Sequence, residues 1–208
     1  MSVTYPLSLP TVITPASMTI TPHGATAMSR SPFAAGAQSY TWPAEMWTAQ
    51  LLLPPMSRAQ AEDWIGWLVS LNGMEGSLLA GDPLGASPRG TWAGSPLVNG
   101  AIAAGARSFA ADGFTAGATG KRGDWLQFGS ASSARLHKVA KDFTANGSGQ
   151  ATIDIWPRTR YVIADNASFI TASAVGLWQL ASNAVPWSLG PLLFSGLQIP
   201  LVEDLRGL

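Results

Sequence analysis

Apolar and polar positions alternate in short bursts along most of this chain, and a helical period stands out in one segment. Between Thr11 and Pro22, the residues Val12, Ile13, Met18 and Ile20 lie among threonines, which predicts an opening strand. A loop of small residues is expected next, through Gly24 and Gly36. Tyr40, Trp42, Trp47, Leu51 and Leu53 mark a stronger strand region over Ser39–Leu53. Pro43 interrupts it; a proline has no N–H to give a ladder, so the region is either two strands or an edge strand with a bulge.

The helical segment starts at Ser57. Ser57 and Gln60 have the spacing of a capping box, in which the serine oxygen accepts an amide N–H and the glutamine reaches back to the cap. Ala61, Trp64, Ile65, Leu68 and Leu71 then recur every three or four residues, giving one apolar stripe over residues 58–72. Asn72 and Gly73 supply a left-handed stop. Trp64 lies within the stripe and Trp67 on its shoulder, which makes Trp67 the candidate residue for contact with a neighbouring subunit.

Beyond the helix, Gly76–Ala80 reads as a strand and Gly81–Gly85 as a turn. Residues 86–100 are rich in Gly, Pro and Ser, and the division between two β units is expected there: an N-terminal β domain with one helix over 1–90 and a β-rich subdomain over 91–208. The second half predicts short strands at 106–110, 125–128, 134–139, 151–156, 168–172, 176–181 and 192–199, the pattern of a sandwich or barrel. Asn146 to Gly149 predicts a hairpin turn between two paired strands, since Asn and Gly adopt positive φ at low cost. The fold class expected is mainly β, with a sandwich- or barrel-like N-terminal domain carrying one helix.

Composition changes this picture in one respect. Charged residues make up 12% of the 208, about half the usual share of roughly 25%, while apolar residues stand at an ordinary 47%. Small neutral residues have taken the place of charges, and a surface so poor in charge favours association. Formal net charge is zero and there is no basic run, so neither a phosphate backbone nor an anionic membrane is an expected partner. The first residues lack the charged start and apolar core of a signal peptide, and runs such as Leu51-Leu52-Leu53 are far too short to span a bilayer. Synthesis and assembly in the cytoplasm are the expectation.

Candidate chemistry fails position by position. There is no cysteine, and the histidines, His23 and His137, have no metal-ligand spacing; His137 also stands near Arg135 and Lys138. A phosphate loop ending at Gly120-Lys121 would need a glycine where Thr115 stands and a hydroxyl residue where Arg122 stands. Arg122-Gly123-Asp124 spells a cell-adhesion tripeptide, but Asp124 opens a predicted strand. Glu62/Asp63 falls in the helix's opening turns, where acids suit the dipole, and Glu203/Asp204 is expected in solvent or at a contact. No catalytic residue, cofactor site or metal site is expected. Nine tryptophans, among them Trp42, Trp47 and Trp187, are the remaining anomaly, and core or subunit interface is the expected place for each.

Two stretches resemble tail-tip proteins of long-tailed phages. One is Leu52 to Ala61, Leu-Leu-Pro-Pro-Met-Ser-Arg-Ala-Gln-Ala, followed by Trp64, Leu68, Leu71, Asn72-Gly73 and Gly81-Asp82-Pro83. The other is Gly123-Asp124-Trp125-Leu126-Gln127-Phe128-Gly129, then Leu136-His137-Lys138-Val139, then Gly147 to Arg160. Within that class the chain is most similar to the distal tail protein family. The resemblance implies a structural, non-enzymatic virion protein of the tail tip or baseplate, forming a hexameric ring that joins the tail-tube protein to the tip hub protein. The alternatives it leaves open are another hub subunit and a carbohydrate-binding receptor-recognition module. A ring subunit should bury its tryptophans at contacts, whereas a sugar binder should cluster them in the open.

Overall fold

The computed structural model describes residues 3–189, 194–195 and 197–206, and the fold is mainly β with one α-helix among them. The chain opens with β1 (Leu7–Ser8), β2 (Ser17–Arg30) and β3 (Ala37–Leu52). β2 and β3 pair antiparallel from Ser17↔Leu52 to Arg30↔Ala37, with a register shift between His23 and Ala25. The expected loop from Gly24 to Gly36 is therefore mostly strand, and only residues 31–36 turn. The shift leaves Gly24 facing Pro43 and its neighbours, so the proline falls in a bulge and the strand runs through it. Pro22 is tolerated because β2 is an edge strand.

Helix α1 (Arg58–Ser70) follows, with both halves of the Ser57/Gln60 capping box formed. Asn72 and Gly73 adopt positive φ of 50° and 66° and end it. Trp64 is fully buried, and Ala61, Leu68 and Leu71 join it against Leu51, Leu53 and Leu78 in one core. Each such side chain contributes roughly 1.5–3 kcal/mol through burial. β4 (Ser77–Ala80) then pairs parallel with β1.

The middle of the chain forms a second body. β5 (Gly94–Val98), β6 (Ser108–Phe114), β8 (Trp125–Phe128), β9 (Arg135–Val139), β11 (Ala151–Trp156) and β12 (Phe169–Ile170) make a six-stranded antiparallel sheet, in the order β12-β8-β9-β11-β6-β5. Val98 N–H donates to Ala167 O at 3.0 Å and Asn166 N–H to Val98 O at 2.9 Å, drawing the first and last strands into a nearly closed barrel. Its interior holds Val98, Phe109, Leu126, Phe128, Ile153 and Ile155. β7 (Thr119–Gly120) and β10 (Phe143–Thr144) form a small side ribbon. β5 lies where the sequence predicts a linker: Gly and Pro hide its pattern, but its last residues fill the barrel.

The Asn146–Gly149 segment is a turn, with Asn146 Oδ1 accepting the N–H groups of Ser148 and Gln150, both at 2.9 Å. The strands around it do not pair with each other as expected. β10 pairs with β7, and β11 pairs with β6 and β9.

The chain then returns to its first sheet through β13 (Gly176–Leu180), a short ribbon of β14 (Ser188–Leu189) and β15 (Phe194–Ser195), and β16 (Gln198–Glu203). Part of the strand expected over 192–199 lies outside the described residues. The first sheet has the order β1-β4-β13-β16-β3-β2. A division at residue 90 would assign β13 and β16 to the second unit, yet they are central strands of the first. The barrel is instead inserted between β4 and β13.

Trp125 and Leu136 point out of the barrel into the core of the first sheet. Trp47 meets Trp125 and Trp156 edge-on, at ring separations of 5.4 and 4.3 Å, and its Nε1–H donates to Leu136 O at 2.9 Å. Around this aromatic seam, Glu45 pairs with Arg107 and Arg158, while Glu203 takes two bonds from Arg160 and one from the backbone N–H of Trp47. Glu203 and Asp204, expected in solvent or at a contact, are 5% and 3% exposed; Arg160 and the Trp47 amide compensate the burial of Glu203, and Arg206, two residues along, that of Asp204.

Candidate functional site

The feature that no part of the chain's own core explains is the far end of β2 and β3. Beyond the bulge the two strands leave the sheet as an isolated ribbon, and residues 26 to 44 are all exposed. Six residue pairs at about 3.4 Å each give the arm a reach of about 20 Å. A two-stranded ribbon with both faces in water is marginal alone. Proteins commonly protect such free edges with charges, but Arg30 is the only charged residue between Ser17 and Ala44.

Strand alternation decides what the arm displays. On β3, Glu45, Trp47, Ala49 and Leu51 face inward, so Tyr40 and Trp42 stand on the opposite face, 55% and 52% exposed, beside Ala27 and Ala25 of β2. At the tip, Ser31 Oγ accepts the N–H groups of Phe33 and Ala34 at 3.3 and 3.2 Å, and Ser31 N–H donates to Gly36 O. That turn holds Phe33 outward at 97% exposure. Small, weakly β-forming residues at 24–36 concealed the ribbon in the sequence. The signal that could have revealed it was the absence of charge across a polar stretch.

Trp67, the expected subunit-contact residue, is half-buried. Its ring stacks edge-on against Trp64 at 5.5 Å, and its Nε1–H donates to Ser8 O at 2.8 Å, so the chain's own N-terminal segment engages it. The exposed apolar residue on that side of α1 is Val69. It edges a hollow of about 200 Å³ whose floor is Leu68 and Leu180 and whose other wall includes Val185 and Trp187. Of the nine tryptophans, Trp42 and Trp187 are exposed and do not cluster; Trp47, Trp64, Trp92, Trp125 and Trp178 are buried.

The chemistry-bearing motifs resolve into structural bonds. Asp124 of the Arg-Gly-Asp tripeptide is buried and accepts N–H groups from Arg89, Gly90, Lys121 and the Trp92 indole. Burial works to raise its pKa, but these donors hold the carboxyl below the ordinary value. Asp82 likewise accepts from the Trp125 indole at 3.0 Å, and Lys138 lies 3.6 Å over the Trp125 ring. The cleft of about 240 Å³ between these groups is lined by side chains already committed to one another. His137 is buried and bonded through Nδ1 to Pro157 O; His23, at the foot of the arm, pairs with Thr48. Among the described residues no cluster of three potential metal ligands occurs, and no helix is long and apolar enough to cross a membrane. Comparison with models of known protein families and with characterised proteins gives no match.

Proposed function

We propose that this chain is a structural subunit of a phage tail tip, assembling laterally into a ring that joins the tail tube to the tip hub. The observation that carries the reading is the uncharged aromatic arm. It exposes Tyr40, Trp42, Met28 and Phe33 on a ribbon with no further partner among the described residues. The number of copies, six, and the neighbours, a tail-tube protein and a hub protein, come from the resemblance of the helix-cap and strand segments to distal tail proteins. The role is assembly rather than catalysis, and its place is the virion tail.

A closed ring requires each copy to offer two different faces, and a stable contact should bury at least about 1,000 Å². The test is to replace residues 25–42 with a short turn and measure mass by light scattering and secondary structure by circular dichroism. Wild type should form discrete rings visible by electron microscopy, and the arm-deleted chain should remain folded and monomeric. A wild-type chain that stays monomeric at high concentration refutes the proposal and returns the carbohydrate-binding reading.

A further inference from the structure

We infer that the tip of the arm of one copy seats in the hollow at the C-terminal end of α1 of a second copy, with Phe33 as the inserted side chain. The inference rests on the self-association reading and specifies both surfaces of the contact.

Three observations point the same way. First, the arm and the hollow are different faces of one chain, as a head-to-tail contact requires. At 97% exposure Phe33 does not fill the hollow of its own chain, and the Ser31 turn has already fixed it in place. Second, the hollow can take an aromatic side chain. Leu68, Val69, Leu180, Val185 and Trp187 form its apolar part beside Asn72, Gly73 and Asn183, no charged side chain lines it, and its volume of about 200 Å³ admits a phenyl ring. Third, the charges at the two surfaces are complementary. Arg30, at the root of the tip, makes no ion pair in its own chain among the described residues, and Glu75 is exposed beside the hollow, its side chain bonded to Asn72 on the lining and its backbone carbonyl to Arg206, with no side-chain ion pair among the described residues. The exposed acid of one copy thus offers a partner to the unpaired cation of the next.

Head-to-tail geometry gives this contact a signature that a symmetric contact lacks. Phe33→Asp removes the inserted group and leaves the hollow intact; Val69→Glu blocks the hollow and leaves the arm intact. Both positions are exposed, so both variants should keep the wild-type melting temperature. Each alone should associate about 10- to 100-fold more weakly than wild type, the worth of burying one large apolar side chain. Mixed in equal amounts, they should form dimers and stop, because one functional contact remains per pair. Arg30→Glu and Glu75→Arg should each weaken assembly, and the double variant should recover it.

The results that overturn the inference are separable. Wild-type rings with intact assembly of Phe33→Asp overturn the seat alone and leave the ring standing. A mixture that stays monomeric does the same. Val69→Glu that lowers the melting temperature without affecting assembly shows that the chain's own residues cover the hollow, again overturning the seat. Cosedimentation of wild type, but not Phe33→Asp, with phosphatidylcholine–phosphatidylglycerol vesicles makes the tip a lipid anchor instead. A monomeric wild type overturns both the seat and the ring.

Discussion

His137 should make this protein lose stability in mild acid, before the carboxylates contribute. The side chain is buried on the barrel side of β9, edge-on to Phe128 at 5.5 Å, where its Nδ1–H donates to Pro157 O at 2.8 Å. Burial is the main cause that pushes its pKa down from 6.5 to about 4; the Pro157 carbonyl opposes the shift, and Arg160 and Arg135 add to it. Between those two pH values the unfolded chain takes up a proton that the folded chain refuses. Stability therefore rises with pH across that window and falls on acidification. The displacement corresponds to about 3 kcal/mol, of which about 2–3 should be lost between pH 7 and pH 4.5. Asp82, Asp124 and Asp204 have lowered pKa values, so their contributions are complete above about 3.8 and fade only below it, outside this window. The assay is urea denaturation at both pH values for wild type and His137→Asn, whose amide keeps a donor for the Pro157 carbonyl. The variant should be less stable at pH 7 but show a much flatter dependence on pH. Equal slopes for the two proteins would refute the assignment of the acid sensitivity to this imidazole.

Two further outcomes follow from the cores. Trp64→Ala should cost about 3–5 kcal/mol by urea denaturation, while Trp64→Phe should recover most of it, because the buried indole N–H has no acceptor among the described residues. Asp124→Ala should cost about 3 kcal/mol or more by leaving its donors unpaired, and amide hydrogen exchange at Gly90 and Lys121 should accelerate; unchanged exchange would contradict the anchoring role given to this carboxylate.

The parts of the fold legible in the sequence are those governed by local rules. The Ser57/Gln60 box and the stripe through Trp64 and Leu68 place the helix because cap chemistry and a 3.6-residue period act within a few residues. Ala151–Trp156 is legible because strand alternation does too. What the sequence hides depends on remote partners. Nothing local says that Gln198–Glu203 inserts between β13 and β3, or that Glu203 meets Arg160. The first strand of the arm is hidden for a different reason: with water on both faces, residues 26–30 need no alternation, and small residues among them read as loop. The angle of Trp67 on the helix cannot reveal that its indole N–H bonds to Ser8 O.

The insertion of the barrel into the first sheet sets an order of events on the ribosome. Residues of β5 to β12 form a body whose strand partners all lie within that stretch, so it can close while synthesis continues. β3 and β4 must wait, because the strands that separate them, β13 and β16, emerge later. Sheets that depend on such distant pairings fold slowly. During that delay β3, with its inward row of Trp47, Ala49 and Leu51, has β2 on one side but lacks β16 on the other. The nascent protein therefore passes through a stage with a finished barrel beside an open, sticky half-sheet, and crowding on polysomes makes that stage the natural point for chaperone dependence.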